Sequence, residues 1–191
     1  MIERILNLHP TQIAIGFQQV LEKRKKLEKL DDKKLDEYLE SHHVPVVKHN
    51  NKLYIIDHHH LCNALDDMHI HKVYINIIED YSELHKDDFW NMMKNKNYIW
   101  LFDEHGVKIN LEKFLEILPR NIKEMKNDPY RSLAGILKNL GIYKKDWTPY
   151  SEFVYANLFR EHIVLLDDDK FSDQIIYKAT QLISQMLNDR H

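Results

Sequence analysis

Four consecutive residues, Asp57-His58-His59-His60, carry the side chains best suited to chemistry in this sequence. They follow the β-branched run Leu53-Tyr54-Ile55-Ile56 and precede apolar residues at helical spacing, which indicates a strand, a turn and a helix. The first turn of a helix presents unpaired backbone N–H groups at the positive end of its dipole, and it binds phosphate well. Neighbouring imidazoles can donate hydrogen bonds to phosphate or transfer protons near neutral pH. The segment therefore predicts a phosphate site at a strand-to-helix turn.

Other interpretations of the same residues stay open. Asp57 could cap the helix, orient a histidine or hold Mg²⁺. Zinc is disfavoured, because consecutive histidines cannot all reach one ion and the helical pattern of two histidines four apart with a glutamate is missing. Cys62, between Leu61 and Leu65, is expected to be a buried apolar residue rather than an activated thiol. The sequence has neither a glycine-rich phosphate loop nor a nucleophile elbow, which excludes P-loop and α/β-hydrolase chemistry.

Composition limits the class of protein. The chain has 191 residues, enough for one domain or for a compact domain with a helical extension. Four glycines favour helices over a loop-rich β fold, and a single cysteine fits a reducing compartment. We expect a cytoplasmic protein, because no secretory signal and no membrane-spanning apolar run are present. The net charge of −3 disfavours binding of duplex DNA as the main function.

The first half of the chain alternates strand and helix patterns. Glu3 to Leu8 predicts a short strand, and apolar spacing from Ile13 to Leu27 predicts a helix that Thr11 could cap. A second helix is expected over Asp31 to Ser41. The runs Val44–Val47 and Leu53–Ile56, joined by Asn-Asn, predict a hairpin.

A further strand at Val73–Ile78 is followed by a mainly helical second half. Helices are expected at Asp87 to Asn95, Leu111 to Leu118, Asp128 to Gly141, Ser151 to His162 and Lys170 to Leu187. The change of character near residue 85 predicts a core of residues 1–85 and a helical extension of residues 86–191, unless residues 1–191 form one domain. We expect six aromatic side chains to lie in the core rather than to stack on bases: Trp90, Trp100, Phe102, Phe153, Tyr155 and Phe159.

Several segments taken together resemble the ParB-like putative nuclease family of the ParB/sulfiredoxin fold superfamily. They are Pro10-Thr11-Gln12 with Gly16 and Lys23, Val44–Val47, Tyr54–Leu61 with Ala64-Leu65, Asp128–Gly135, and Pro149–Phe153 with Phe159-Arg160. The resemblance runs from about Ile5 to Arg160. It implies an α/β (α+β) fold, in which a small mixed β-sheet is flanked by helices, with a helical C-terminal half.

The resemblance also implies a site. In the superfamily the strand-to-helix turn binds phosphates of CTP, ATP or ADP. Kinases of free serine place Asp-Gly-His-His-Arg there, to which Asp57–Leu61 is similar. Asp57, His59 and His60 thereby inherit catalytic or binding roles, and Asp57 is the expected Mg²⁺ ligand.

Additional ligands follow from the same match. His58, Thr11, Gln12, Lys23 and Arg131 are expected to bind the phosphates or the nucleotide. A leucine stands at position 61, where many relatives have an arginine, so the missing cation must come from elsewhere, with Arg131, Arg160 and Lys23 as candidates.

Comparison within the superfamily excludes two activities. The cysteine that sulfiredoxin chemistry requires is absent from the turn, and so are the Gly-Glu-Arg-Arg turn and basic helix-turn-helix of partition proteins.

Three functions remain. The first is an enzyme that uses Mg²⁺ and ATP, ADP or CTP for phosphoryl transfer or NTP hydrolysis, which the charge favours. The second is a nuclease acting on DNA or RNA phosphodiesters, and the third is a non-catalytic regulator that binds a nucleotide. The expected partners are a nucleotide and either a small molecule or a nucleic acid, with no membrane.

Overall fold

The computed structural model describes residues 1–143, 151–165 and 171–188. Its contacts divide the chain into two compact units, one of residues 1–15 and 20–126, the other of residues 16–19 and 127–191. The change in composition near residue 85 lies inside the first unit. Among the described residues no helix is both long and apolar enough to cross a membrane.

The secondary structure alternates in the first half and is helical in the second. The strands are β1 (Ile2–Arg4), β2 (Leu8–His9), β3 (Ala14–Ile15), β4 (Val44–His49), β5 (Lys52–Ile55), β6 (Lys72–Asp80) and β7 (Lys126–Asn127). The helices are α1 (Phe17–Leu27), α2 (Asp32–Ser41), α3 (His59–Asp67), α4 (Lys86–Asn95), α5 (Leu111–Ile117), α6 (Pro129–Asn139), α7 (Ser151–His162) and α8 (Asp173–Asn188). Short 3-10 turns span Ile5–Asn7 and Ile122–Glu124.

Five strands form a mixed sheet in the order β1-β6-β4-β5-β2. The β1–β6 and β4–β5 pairs are antiparallel, and the β4–β6 and β2–β5 pairs are parallel. The β4–β6 register shifts between Val46 and Val47. Val46 pairs with Ile77 and Val47 pairs with Glu79, so Ile78 is the extra residue of a bulge. The sheet and its flanking helices confirm the mixed α/β class.

The predicted hairpin and second helix are confirmed. Asn50 at the hairpin turn has a φ of 53°, a left-handed conformation that asparagine tolerates. Helix α2 begins after Asp31, whose side chain accepts a hydrogen bond from the Lys34 amide as an N-cap.

Two predictions for the N-terminal segment were wrong. The strand predicted over Glu3 to Leu8 is interrupted by the 3-10 turn, so β1 and β2 are separate strands with different partners. The helix predicted to follow Thr11 begins only at Phe17. Thr11 is instead a buried loop residue, and Ile13 packs in the core. Tertiary burial of this segment therefore overrides its helical periodicity.

Each face of the five-stranded sheet contributes to a separate hydrophobic cluster. One cluster combines sheet residues with residues of α1, α2 and α3: Val44, Val46, Ile55, Val73, Ile75, Val20, Leu27, Leu39, Leu61, Cys62, Ala64 and Leu65. The other combines Val47 and Tyr54 of the sheet and Ile13 of the loop before β3 with residues of α4, α5 and their connection: Phe89, Trp90, Met93, Ile99 and Phe114. Helices α4 and α5 consequently belong to the first unit.

The second unit has its own core of residues from α6, α7 and α8. Asp128 caps α6, accepting hydrogen bonds from the amides of Tyr130 and Arg131. The second carboxylate oxygen of Asp128 accepts from Arg160 Nη2 at 2.8 Å, and the Arg160 guanidinium lies over the Tyr130 ring. The carboxylate of Asp128 is therefore used for both a helix cap and a largely buried ion pair.

Candidate functional site

The predicted strand-to-helix turn forms between β5 and α3. His58 is the N-cap residue of α3 and has φ of 69° and ψ of 20°, the left-handed conformation that favours glycine. In the similarity described above to kinases of free serine, His58 occupies the position of the glycine in their Asp-Gly-His-His-Arg turn. The exposed Asp57 side chain accepts a hydrogen bond from the His58 amide at 2.6 Å, and the His58 side chain makes no cap bond to the helix. The side chain of the N-cap residue therefore does not accept hydrogen bonds from the first amides of α3.

His59 lies beneath this turn and is 2% exposed. Its Nε2 accepts a hydrogen bond from the Thr11 amide at 3.2 Å, so a neutral His59 carries its proton on Nδ1. The Thr11 hydroxyl donates to the carbonyl of Ile55, the last residue of β5, at 2.6 Å. His59 and Thr11 thus join the loop before β3 to the end of β5 and the start of α3. These contacts hold the two segments together at the turn.

His58 is half-buried beside side chains from α1 and α2. The ring centroids of His42 and His58 are 6.4 Å apart, and His42 stacks on Tyr38 at 3.8 Å. The ammonium of Lys23 lies 3.4 Å from the Tyr38 hydroxyl. Burial lowers the pKa of His58, and so do His42 and Lys23, while Asp57 acts in the opposite direction. The turn therefore carries the imidazole of His58, with the Lys23 ammonium and the His42 imidazole next to it.

His42 and Tyr38 were not predicted from the sequence, although the hairpin contained a signal for His42. Strands β4 and β5 pair with Val46 opposite Ile55, and continuing that register outward brings His43 level with His58. The residues before β4 must then lie beside the strand-to-helix turn. The pair His42-His43 at the end of α2 could have been recognised in this way, whereas the stacking on Tyr38 required the structure.

The other predicted site residues occupy different surroundings. Gln12 follows Thr11 and is half-buried, and His60 is half-buried in the first turn of α3. Arg131 belongs to the second unit, where it is 5% exposed and its guanidinium lies 3.9 Å from the centroid of Phe153. Arg160 contacts Asp128 in the same unit. Lys23 is thus the predicted cation that the first unit brings next to His58.

Magnesium fits this turn in one coordination mode. Among the described residues no three His, Cys, Asp or Glu side chains form a group that could hold a metal ion. Mg²⁺ usually keeps several waters and binds through one or two carboxylates plus substrate phosphates. The exposed Asp57, next to the helix terminus, is suited to be a single protein ligand of that kind.

Comparison with known proteins shows the family. A model described as a putative ParB-like nuclease matches residues 2–161. The chain belongs to this family. The ParB-like match covers the sheet, the strand-to-helix turn, helices α1 to α6 and all but the last residue of α7.

A solved structure is similar to the chain over most of its length. The protein is similar to Atu1540 from Agrobacterium tumefaciens, with 36% sequence identity and a TM-score of 0.82 over 95% of this chain and 90% of that chain. No curated protein matches the sequence significantly. The ParB-like assignment thus rests on the family model, and the solved structure shows that the fold of this chain occurs in another protein.

Proposed function

We propose that this ParB-like protein binds the phosphates of a nucleotide at the N-terminus of α3 and catalyses NTP hydrolysis or phosphoryl transfer. The observation that carries the proposal is the left-handed His58 turn, with Lys23 and His42 beside it. A helix terminus supplies backbone donors. Lys23 supplies positive charge, and the imidazoles of His58 and His42 supply ring N–H donors where phosphate oxygens would lie.

Each residue of the turn has a proposed role. The His58 imidazole contacts a phosphate, Lys23 adds positive potential along the same side, and the His42 imidazole is a further hydrogen-bond donor. His59 acts through Thr11 as a positioning residue, since its Nε2 is already an acceptor. His60 is the second proposed phosphate contact.

The remaining two roles concern the metal and the nucleotide. Asp57 would hold Mg²⁺ together with phosphate oxygens, and the ion would neutralise charge that develops during phosphoryl transfer. Gln12 is a proposed nucleotide contact from the adjacent loop. Arg131 belongs to the second unit, and its contact with the nucleotide stays a prediction.

Phosphodiester hydrolysis is a second candidate, because the family to which the chain belongs is described as nuclease-like. A nuclease would use the same anion site for a backbone phosphate. The chain has a net charge of −3, whereas proteins that grip nucleic acid usually have a basic face, so we place nucleotide chemistry first.

A thermal-shift titration tests phosphate binding. ATP, ADP and CTP are added with Mg²⁺ to the wild type, to His58→Asn and to His162→Asn. Asparagine tolerates the left-handed conformation, so His58→Asn removes the imidazole and keeps the turn. His162 is an exposed histidine of α7 and serves as the matched control. A ligand at a hundredfold its Kd adds about 2.7 kcal/mol of stability.

The outcomes separate the functions. A nucleotide shift that disappears in His58→Asn and persists in His162→Asn supports the site, and release of inorganic phosphate then supports hydrolysis. Binding without turnover or transfer would indicate a regulator. If no nucleotide shifts the melting temperature and labelled single-stranded DNA or RNA is cleaved, nucleotide chemistry is wrong and the nuclease is right.

A further inference from the structure

Two aromatic side chains of the first unit lie outside its buried clusters. Trp100 and Phe102 stack on each other with centroids 4.4 Å apart and an interplanar angle of 15°. Both are half-buried, whereas Trp90 and Phe114 lie in the core of the same unit. The prediction that all six singled-out aromatics belong to the core was therefore wrong for Trp100 and Phe102.

The loop that carries this pair is ordered by its own hydrogen bonds. Phe102 forms an antiparallel bridge with Lys108, and the Ile109 amide donates to the Leu101 carbonyl. At the tip, Asp103 Oδ1 accepts from the amides of residues 105 and 107, and Gly106 has a φ of 72°. A ring pair held in this way loses little conformational entropy when a ligand binds.

Thr11 joins this loop to the candidate site. The Trp100 amide donates to the Thr11 carbonyl at 3.3 Å. The amide and the hydroxyl of Thr11 in turn donate to His59 Nε2 and to the Ile55 carbonyl. The backbone that positions the aromatic pair is thereby hydrogen-bonded to the residue that holds the end of β5 and the start of α3.

We infer that the Trp100–Phe102 pair stacks the nucleobase of the nucleotide whose phosphates bind at the N-terminus of α3. The inference rests on the proposed function and names its substrate class, a phosphorylated compound with an aromatic base. Flat indole and phenyl faces stack on bases of any sequence, and an alanine substitution at such a face costs roughly tenfold or more in affinity. Inorganic phosphate and phosphorylated aliphatic acids have no flat ring that could stack on an aromatic pair.

Calorimetric titrations with and without a base test the inference. ATP, CTP and inorganic tripolyphosphate, each with Mg²⁺, are titrated into the full-length wild type, Trp100→Ala/Phe102→Ala, Trp100→Phe and Tyr177→Ala. Tyr177 is an aromatic residue of α8 that is 67% exposed and serves as the control for loss of an aromatic ring. We expect wild type, Trp100→Phe and Tyr177→Ala to prefer the nucleotides by roughly tenfold over tripolyphosphate. In the double variant the nucleotide affinity should fall to that of tripolyphosphate.

A fluorescence measurement keeps the test valid if the double variant folds poorly. In a chain with Trp90→Phe and Trp147→Phe, Trp100 is the sole indole, since the sequence has three tryptophans. Nucleotide should quench its emission, and tripolyphosphate should not. Equal affinity for nucleotide and tripolyphosphate, or no quenching by bound nucleotide, would overturn the stacking while leaving phosphate binding intact.

Two further outcomes have distinct meanings. If neither nucleotides nor tripolyphosphate bind, the proposed function itself fails. If a short single strand of oligo-dT quenches Trp100 and free nucleotides do not, the base belongs to a nucleic acid, and the inference of a free nucleotide is overturned.

Discussion

Glycine and alanine at position 58 should reverse their usual order of stability. The left-handed conformation costs an L-residue roughly 1–2 kcal/mol, a cost that glycine avoids. Glycine in turn loses roughly 0.5–1 kcal/mol more than alanine through the conformational entropy of the unfolded chain. With φ of 69° at His58, the difference leaves His58→Gly more stable than His58→Ala by about 0.75 kcal/mol, and by about 1.5 kcal/mol at most.

Urea denaturation of the two variants measures this difference directly. The control is Asp36→Gly against Asp36→Ala at an exposed position within α2, where alanine should be the more stable by about 1 kcal/mol. If alanine is also the more stable residue at position 58, the turn does not have the left-handed conformation, and the argument for His58 as the helix N-cap is refuted. If both variants at position 58 lose nucleotide binding equally, the imidazole and not the backbone is the ligand.

Three other measurements test the packing. Burial raises the pKa of the Cys62 thiol to about 12, so a thiol reagent at neutral pH should modify it only after unfolding. Rapid labelling of the native protein would contradict the burial of Cys62. Burial lowers the pKa of His9, so the unfolded chain binds a proton that the folded chain lacks, and stability falls as pH drops through about 6.5. Urea unfolding at about pH 7.5 and 5.5 should therefore show a smaller loss for His9→Gln than for the wild type, and equal losses would disprove the effect. Arg160→Leu should destabilise the protein by about 3 kcal/mol in calorimetry, because it leaves the Asp128 carboxylate buried without its partner. Adding Asp128→Asn should recover part of that loss, and a purely additive double variant would argue against the ion pair.

The elements that the sequence predicted correctly are those with local signals. Asp31 and Asp128 are acidic N-caps, and each was found at the start of the expected helix. The Asn50 turn was identified from its side-chain type between two β-branched runs. The segment from Thr11 to Gly16 was wrongly predicted, because its apolar residues are buried by distant strands and helices that no local pattern reveals.

Only the part of the candidate site that is contiguous in sequence could be predicted. The turn from Asp57 to His60 was located from its own residues, and the mixed α/β fold agrees with the resemblance. The burial of His59 and its bond to Thr11 join residues 48 positions apart, so neither could be read from spacing. The proximity of Tyr38 and Lys23 also depends on how α1 and α2 pack against the sheet.

The bulge in β6 has a consequence for comparing this chain with its relatives. Ile78 is the additional residue, and it is 43% exposed. Deleting it would let β4 and β6 continue in one regular register, with the Lys48–Asp80 contact and the pairs around Val46 retained. Homologues that are one residue shorter in this strand should therefore align with their gap at Ile78. A gap placed between Val73 and Ile75 would move one of these buried side chains to the opposite face.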